Sequence, residues 1–316
     1  VSAIELPGAS VAPLPRQRAA DWSGAGFTLL SGIAAALIVF MVAVILGNVA
    51  WNGWATVTWE FLAGAPREGM TKGGIFPAIY GTLLLVVLMV VALVPFGVGA
   101  AVWLHLYARQ DAWFTKAVRF AVHNLAGVPS IVFGLFGLGF FIQFIGREMD
   151  RAMGLDVVWG QPALLWAALT LALLNLPVVI VTTEESLRTV ARDQREASLA
   201  LGATRWQTVR YVLLPQAMPG ILTGAILAVA RGAGEVAPIL FTGAAYFLPF
   251  LPKLPTDQFM ELGYHVFVLA TQSPDVDATR PLLYGTVLVL LALTFLLNLT
   301  AILLRSRLRA RLLGRG

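Results

Sequence analysis

Hydrophobic and polar positions along this chain come in long blocks and seldom alternate. Six apolar runs, at about 27–49, 78–104, 118–145, 162–182, 219–242 and 281–304, are separated by polar connections. Each run supplies the roughly 20 helical residues that a bilayer core requires. The second and third are longer than that minimum, which predicts tilt, kinks or ends buried by protein. Pro95 and Pro129 are natural kink positions.

Two of the connections carry pattern of their own. Between the fourth and fifth runs, residues 196–215 read EASLALGATRWQTVRYVLLP. Good or tolerable helix formers from Glu196 lead to a glycine stop at Gly202, and a second helical stretch is expected to end at Pro215. Two readings fit this shape: a part presented to a partner protein, or an amphipathic linker on the membrane surface. Between the fifth and sixth runs, residues 244–280 mix aromatic residues with prolines. Residues 257–270 there suit a short amphipathic helix at the membrane interface. That connection reads either as a folded cover over helix ends or as a landing surface for an external partner.

Composition settles the bulk class. Of the 316 residues 58% are hydrophobic and 12% charged, and the mean hydropathy is +0.80, which excludes an ordinary soluble domain. The expected fold is all-α and polytopic, with six transmembrane helices in one membrane domain over 27–304. Within it, 184–215 is the polar loop. Residues 1–26, with Pro7, Pro13 and Pro15, read as a flexible tail that lacks signal-peptide features, and 305–316 as a basic tail.

The formal net charge is +5, and its distribution matters more than its size. With the N-terminus inside, 15 Lys and Arg residues fall in cytoplasmic segments and six in external ones. The positive-inside rule therefore puts both termini and the 196–215 loop in the cytoplasm. The excess reflects topology, and nucleic-acid binding is not expected. Absent cysteine removes disulfides, thiolate metal sites and cysteine nucleophiles, and three scattered histidines form no metal-ligand pattern. No P-loop and no H-E-x-x-H motif occurs. The chain is expected to hold no cofactor and to catalyse no reaction itself.

Two charges lie in the fifth apolar run. Arg231 and Glu235 are four residues apart, hence on one helix face, where a charge costs about 2.5–3.5 kcal/mol on insertion scales. Either they neutralise each other as a packing device, or they line a polar pathway in which Arg231 lowers the cost of an anion. The two readings are compatible. Gly220 and Gly224 form a small-xxx-small pair suited to close helix approach, and Asn175 before Pro177 suits the repair of a kink.

The 196–215 stretch resembles the EAA signature of ABC importer permeases: E-A-A, three residues, Gly, nine residues, then I-x-L-P. Here Glu196, Ala197 and Ser198 precede Gly202, and Val212 to Pro215 close the motif, with Ser198 and Val212 as mild departures. LAGVPSIVFGL (125–135) and ARGAGEVAPILFTG (230–243) are similar to segments of the phosphate-importer permeases, and the likeness covers most of the chain from about Gly73. It implies a type I (MetI-like) importer fold with Glu196, Ala197, Ala200, Gly202 and Arg205 as the coupling element and Arg231 and Glu235 near the translocation path. It further implies a sister permease (PstC-like), an ATPase dimer (PstB-like) that holds ATP and magnesium, and an extracytoplasmic phosphate-binding protein (PstS-like). Permeases for other oxyanions, such as sulfate, molybdate or phosphonate, share the same framework.

Overall fold

The computed structural model describes residues 22–273 and 275–313. The chain divides into two compact units, 1–48 and 49–316. The first holds most of α1 (Trp22–Gly53), part of the candidate span Gly24–Thr56 with a mean hydropathy of 2.9. Of the tail expected over 1–26, residues 1–21 lie outside the described residues and 22–26 are already helical.

The second unit takes in the end of α1 and a 3-10 turn (Trp54–Thr56), followed by α2 (Trp59–Ala63), capped by the Thr58 hydroxyl, which accepts from Phe61 N. A two-residue antiparallel ladder, β1 (Pro66–Arg67) with β2 (Lys72–Gly73), leads into α3 (Phe76–Val102), which continues as π-helix through Trp103–Tyr107. Next come α4 (Trp113–Leu125), α5 (Ser130–Phe136), a π-helical stretch Gly137–Gly146 and α6 (Arg147–Met153). Then α7 (Leu164–Arg188), α8 (Arg192–Ala200), α9 (Arg205–Thr208) and α10 (Leu214–Gly232) follow. The last are α11 (Ala237–Thr242), α12 (Leu262–Thr271) and α13 (Val276–Leu313).

Six helical segments among the described residues are long and apolar enough to cross a membrane, as the blocks of sequence predict. Two of the expected boundaries need correction. The third span is Ser130–Met153 and does not begin near residue 118. The Gly127-Val128-Pro129 segment breaks the chain there, because a residue before proline is pushed out of the helical region. This leaves α4 as a separate amphipathic helix. The fifth span is Arg205–Gly232, and Pro215 does not end a helix. The π-helical turn Val209–Leu213 lies directly before it and joins α9 to α10. A widened turn loosens the carbonyl ladder where the proline ring would clash, so the helix runs on.

At the centre lies α7. Two-thirds of its most apolar window is buried, against 6% for that of α13. Leu171, Leu174 and Val179 of α7 share a core with Leu85, Met89 and Leu93 of α3 and Ala228 of α10. Lipid tails are as apolar as leucine, so the helices are drawn together by close packing rather than by escape from water. Gly220 and Gly224 show how: a Cβ at either would overlap Ser186 or Thr182 of α7. The small-residue pair thus serves a contact inside this chain. Asn175 donates to Leu171 O at 2.9 Å, one turn back. It does not reach the Leu173 carbonyl that Pro177 leaves free, so the expected kink repair is not what it does.

The connection after α11 is a cover over helix ends. Leu164 N and Leu165 N, orphan donors of the first turn of α7, bond Asp257 O and Pro255 O, each at 2.9 Å. The segment expected as an interfacial amphipathic helix is α12, and it is mostly buried, with Leu262, Tyr264, His265 and Val268 inside.

Candidate functional site

The polar loop after α7 is built around a tight reversal. Gly202 has φ +85°, in the left-handed region that glycine enters without strain. Ala203 N bonds Ser198 O at 3.2 Å and Gly202 N bonds Leu199 O at 3.0 Å, the paired bonds of a Schellman ending for α8. On the far side Thr204 and Gln207 form a capping box: Thr204 N donates to Gln207 Oε1 at 2.7 Å, and Gln207 N donates to Thr204 Oγ1 at 3.2 Å. The Ser198 and Thr208 hydroxyls, 3.0 Å apart, cross-link the two helices. The glycine stop expected from sequence is where the chain reverses.

What this frame presents is unpartnered surface. No residue of α8 is buried. Glu196, Ala197, Ala200, Gly202 and Arg205 are all exposed. Leu201 at the tip is 89% exposed and Trp206 57%. Both ends are rigidly capped while the middle touches little, and large apolar side chains sit among charged ones. The reversal thus leaves a cluster of apolar side chains uncovered by the chain's own packing.

The second site differs from expectation in one respect. Arg231 lies in the last turn of α10, but the helix stops at Gly232, so Glu235 sits in the break before α11. The two still pair, Arg231 Nε to Glu235 Oε1 at 2.9 Å, with side chains 41% and 19% exposed. The opposite side of this turn is packed: a Cβ at Gly232 would collide with the Met89 sulfur. Hence the pair is held at a helix end, packed on the Gly232 side, with the guanidinium charge partly neutralised by the carboxylate.

One charged cluster was not singled out by sequence reasoning. Arg119 of α4 bonds Glu184 Oε2 of α7 at 3.0 Å, Leu104 O at 3.1 Å and Gln110 Oε1 at 3.1 Å. It ties the middle of α4 to the π-helical end of α3, to the connection between them and to α7 near the polar loop. Glu184 is 7% exposed, and its Oε1 and the neighbouring Thr183 Oγ1 have no hydrogen-bond partner. The available signal was a carboxylate just past an apolar run, but its partner lies 65 positions away and only the fold brings them together.

Comparison with known proteins places this geometry. The fold is that of a permease bundle: it matches a chain of a bacterial ABC transporter that imports alginate (TM-score 0.61, 14% identity, 89% of this chain and 96% of that one). It also matches a chain of the MetNI methionine ABC transporter (TM-score 0.53, 18% identity, 73% and 94%). Residues 93–314 match the family described as binding-protein-dependent transport system inner membrane component, and the chain belongs to that family. Among its relatives, the probable ABC transporter permease protein YqgI of Bacillus subtilis is 33% identical over 264 residues, 79% of this chain and 85% of that one. The phosphate transport system permease protein PstA of Xylella fastidiosa is 38% identical over 173 residues, 55% of each chain. PstA 1 of Mycobacterium tuberculosis is 37% identical over 210 residues, 64% of this chain and 63% of its own length. The match thus spans less than two-thirds of these PstA relatives.

Proposed function

We propose that this chain is the transmembrane permease subunit of an ATP-driven phosphate importer, forming half of the translocation pathway. The observation that carries the transporter reading is the doubly capped reversal at Gly202, whose α8 side buries no residue. The PstA relatives, 37–38% identical over their aligned parts, support phosphate as the solute.

In this reading the loop and both termini face the cytoplasm. Glu196 makes a polar contact with the ATPase, Ala197 and Ala200 keep the docked face small, and Arg205 supplies a charge beside it. ATP and magnesium belong to a separate PstB-like ATPase dimer, a PstC-like sister permease completes the pathway, and a PstS-like binding protein delivers the anion. Closure of the ATPase dimer moves the docked loop. The rigid Schellman and capping-box ends pass that motion to α7 and α10, and the bundle exchanges outward- and inward-facing arrangements. Phosphate crosses past Arg231, with Glu235, paired to it across the helix break, keeping its hold weak.

The test is phosphate uptake into proteoliposomes holding the purified complex. ATP-dependent uptake, competed by phosphate and not by excess sulfate or molybdate, is the expected result. Uptake without an ATPase, or competition by another oxyanion alone, overturns the assignment. Arg231→Gln is expected to lower uptake by roughly tenfold or more, the loss of one charge-assisted bond to the anion, while the subunits still co-purify. Failure to assemble would make the pair a packing device instead.

A further inference from the structure

A second concave feature lies beside the docking knob, between the end of α3, the end of α7 and α8. Its volume is about 730 Å³, and its wall includes His105, Arg188, Arg192, Arg195 and one carboxylate, Glu196. Arg195 also lines a smaller adjoining hollow with Arg205 and Tyr107. Among the described residues, none of these four arginines takes part in an ion pair. Like charges gathered in one concavity repel, and the field they focus there favours an anion.

The surroundings say at what depth the concavity opens. Trp103 and Tyr107 are each 41% exposed and Trp113 is 79% exposed, all on the neighbouring ends of α3 and α4. Trp103 and Trp113 both meet Phe114 edge-on. Exposed tryptophan and tyrosine at the ends of apolar spans mark the headgroup level of a bilayer. A basic recess between helix ends at that level matches the chemistry of an anionic headgroup.

We propose that this cleft binds a phosphate group, held by Arg188, Arg192 and Arg195. The phosphate belongs to an anionic phospholipid headgroup or to free inorganic phosphate, and the guanidinium fork suits either source. Because Arg188 ends α7 while Arg192 and Arg195 lie on α8, one bound anion bridges the central helix and the docking helix. Occupancy therefore stiffens the joint through which the loop is coupled to the bundle. The inference does not depend on which solute the protein carries.

The experiment uses the permease pair with its ATPase, without the phosphate-binding protein, in phosphatidylcholine nanodiscs, with Arg231→Gln present throughout so that the pathway site is weakened. One arm adds phosphatidylglycerol and counts retained lipid by native mass spectrometry; the other adds inorganic phosphate and measures binding by equilibrium dialysis. Binding in either arm, weakened roughly tenfold or more by Arg188→Gln with Arg192→Gln, is the expected result. The Arg188→Lys, Arg192→Lys pair should keep most of it. Single Arg192→Gln, at an exposed position, guards against misfolding of the double variant and should cost roughly fivefold. Binding unchanged by these substitutions, or absent in both arms, overturns the proposal.

Discussion

Two short helices outside the spans, α8 and α12, are nearly the same length and have opposite fates. α8 has nine residues and buries none; α12 has ten and buries six. Each begins or ends in a well-made cap, so local helix chemistry does not separate them. The direction of their hydrogen bonds does. Around α8 the bonds stay within the loop, linking 198 to 208 and 204 to 207. The cap of α12 reaches across the fold: Glu261 accepts from Gly263 N at 2.8 Å and Tyr264 N at 2.6 Å, while Leu262 N donates to Thr82 Oγ1 of α3 at 3.0 Å. A segment that satisfies itself is free to be offered to another protein. A segment satisfied by its neighbours has become part of the bundle.

The contrast is broken most severely at Glu261, which is 2% exposed. Glu261→Ala leaves two buried backbone donors unmade and opens a void, and should lower stability by about 2–4 kcal/mol, read as thermal unfolding in detergent. An unchanged melting temperature would mean that α12 is held without its cap. Burial pushes the Glu261 carboxyl up to about 7, against the lowering effect of its hydrogen bonds. The folded state therefore favours the protonated form. Its stabilisation is full below the ordinary carboxylate value of 4.5 and is lost as pH rises through about 7. His265, pushed down to about 4 by burial, works in the opposite sense: its stabilisation is present above 6.5 and lost as pH falls through about 4. Comparing wild type with Glu261→Gln between those limits isolates the carboxyl; the variant should show a flatter alkaline side.

Gly202→Asp sharpens the other half of the comparison. A side chain there meets open space, so the fold should lose only about 1 kcal/mol from the left-handed backbone. Co-purification of the ATPase should fall by roughly tenfold or more, because a carboxylate is forced into a docked surface. Full retention of the ATPase would remove the loop from the interface. The smallest effect is expected from Ser198→Ala, which deletes the hydroxyl link across the turn. It should cost about 0.5–1.5 kcal/mol and loosen the α8–α9 angle, visible as faster amide exchange confined to residues 192–208.

These outcomes also mark what the sequence could disclose. Lengths of apolar runs predict spans because the bilayer imposes them on any chain, and the Gly202 reversal was legible because its backbone chemistry is local. The split at Pro129 and the passage of the helix through Pro215 were not. Proline restrains its neighbours in both places, and whether a helix breaks or widens depends on the turn before it. Burial of Glu261 and Glu184 was equally hidden. Their partners, Thr82 and Arg119, are brought in by packing, and hydropathy counts a charged residue as polar whether or not the fold satisfies it. Arg231 and Glu235 were found as a pair, but the helix end that positions them was not.

Leu201 carries one further consequence. It holds an isobutyl group almost fully in water at the tip of a rigid turn, outside the spans that lipid would cover. Chaperones and proteases recognise such exposed apolar chain, and in the proposed complex an ATPase docked over the tip would hide it. On the proposed docking, subunits made in excess of their partners would be the ones left with this tip uncovered and open to removal.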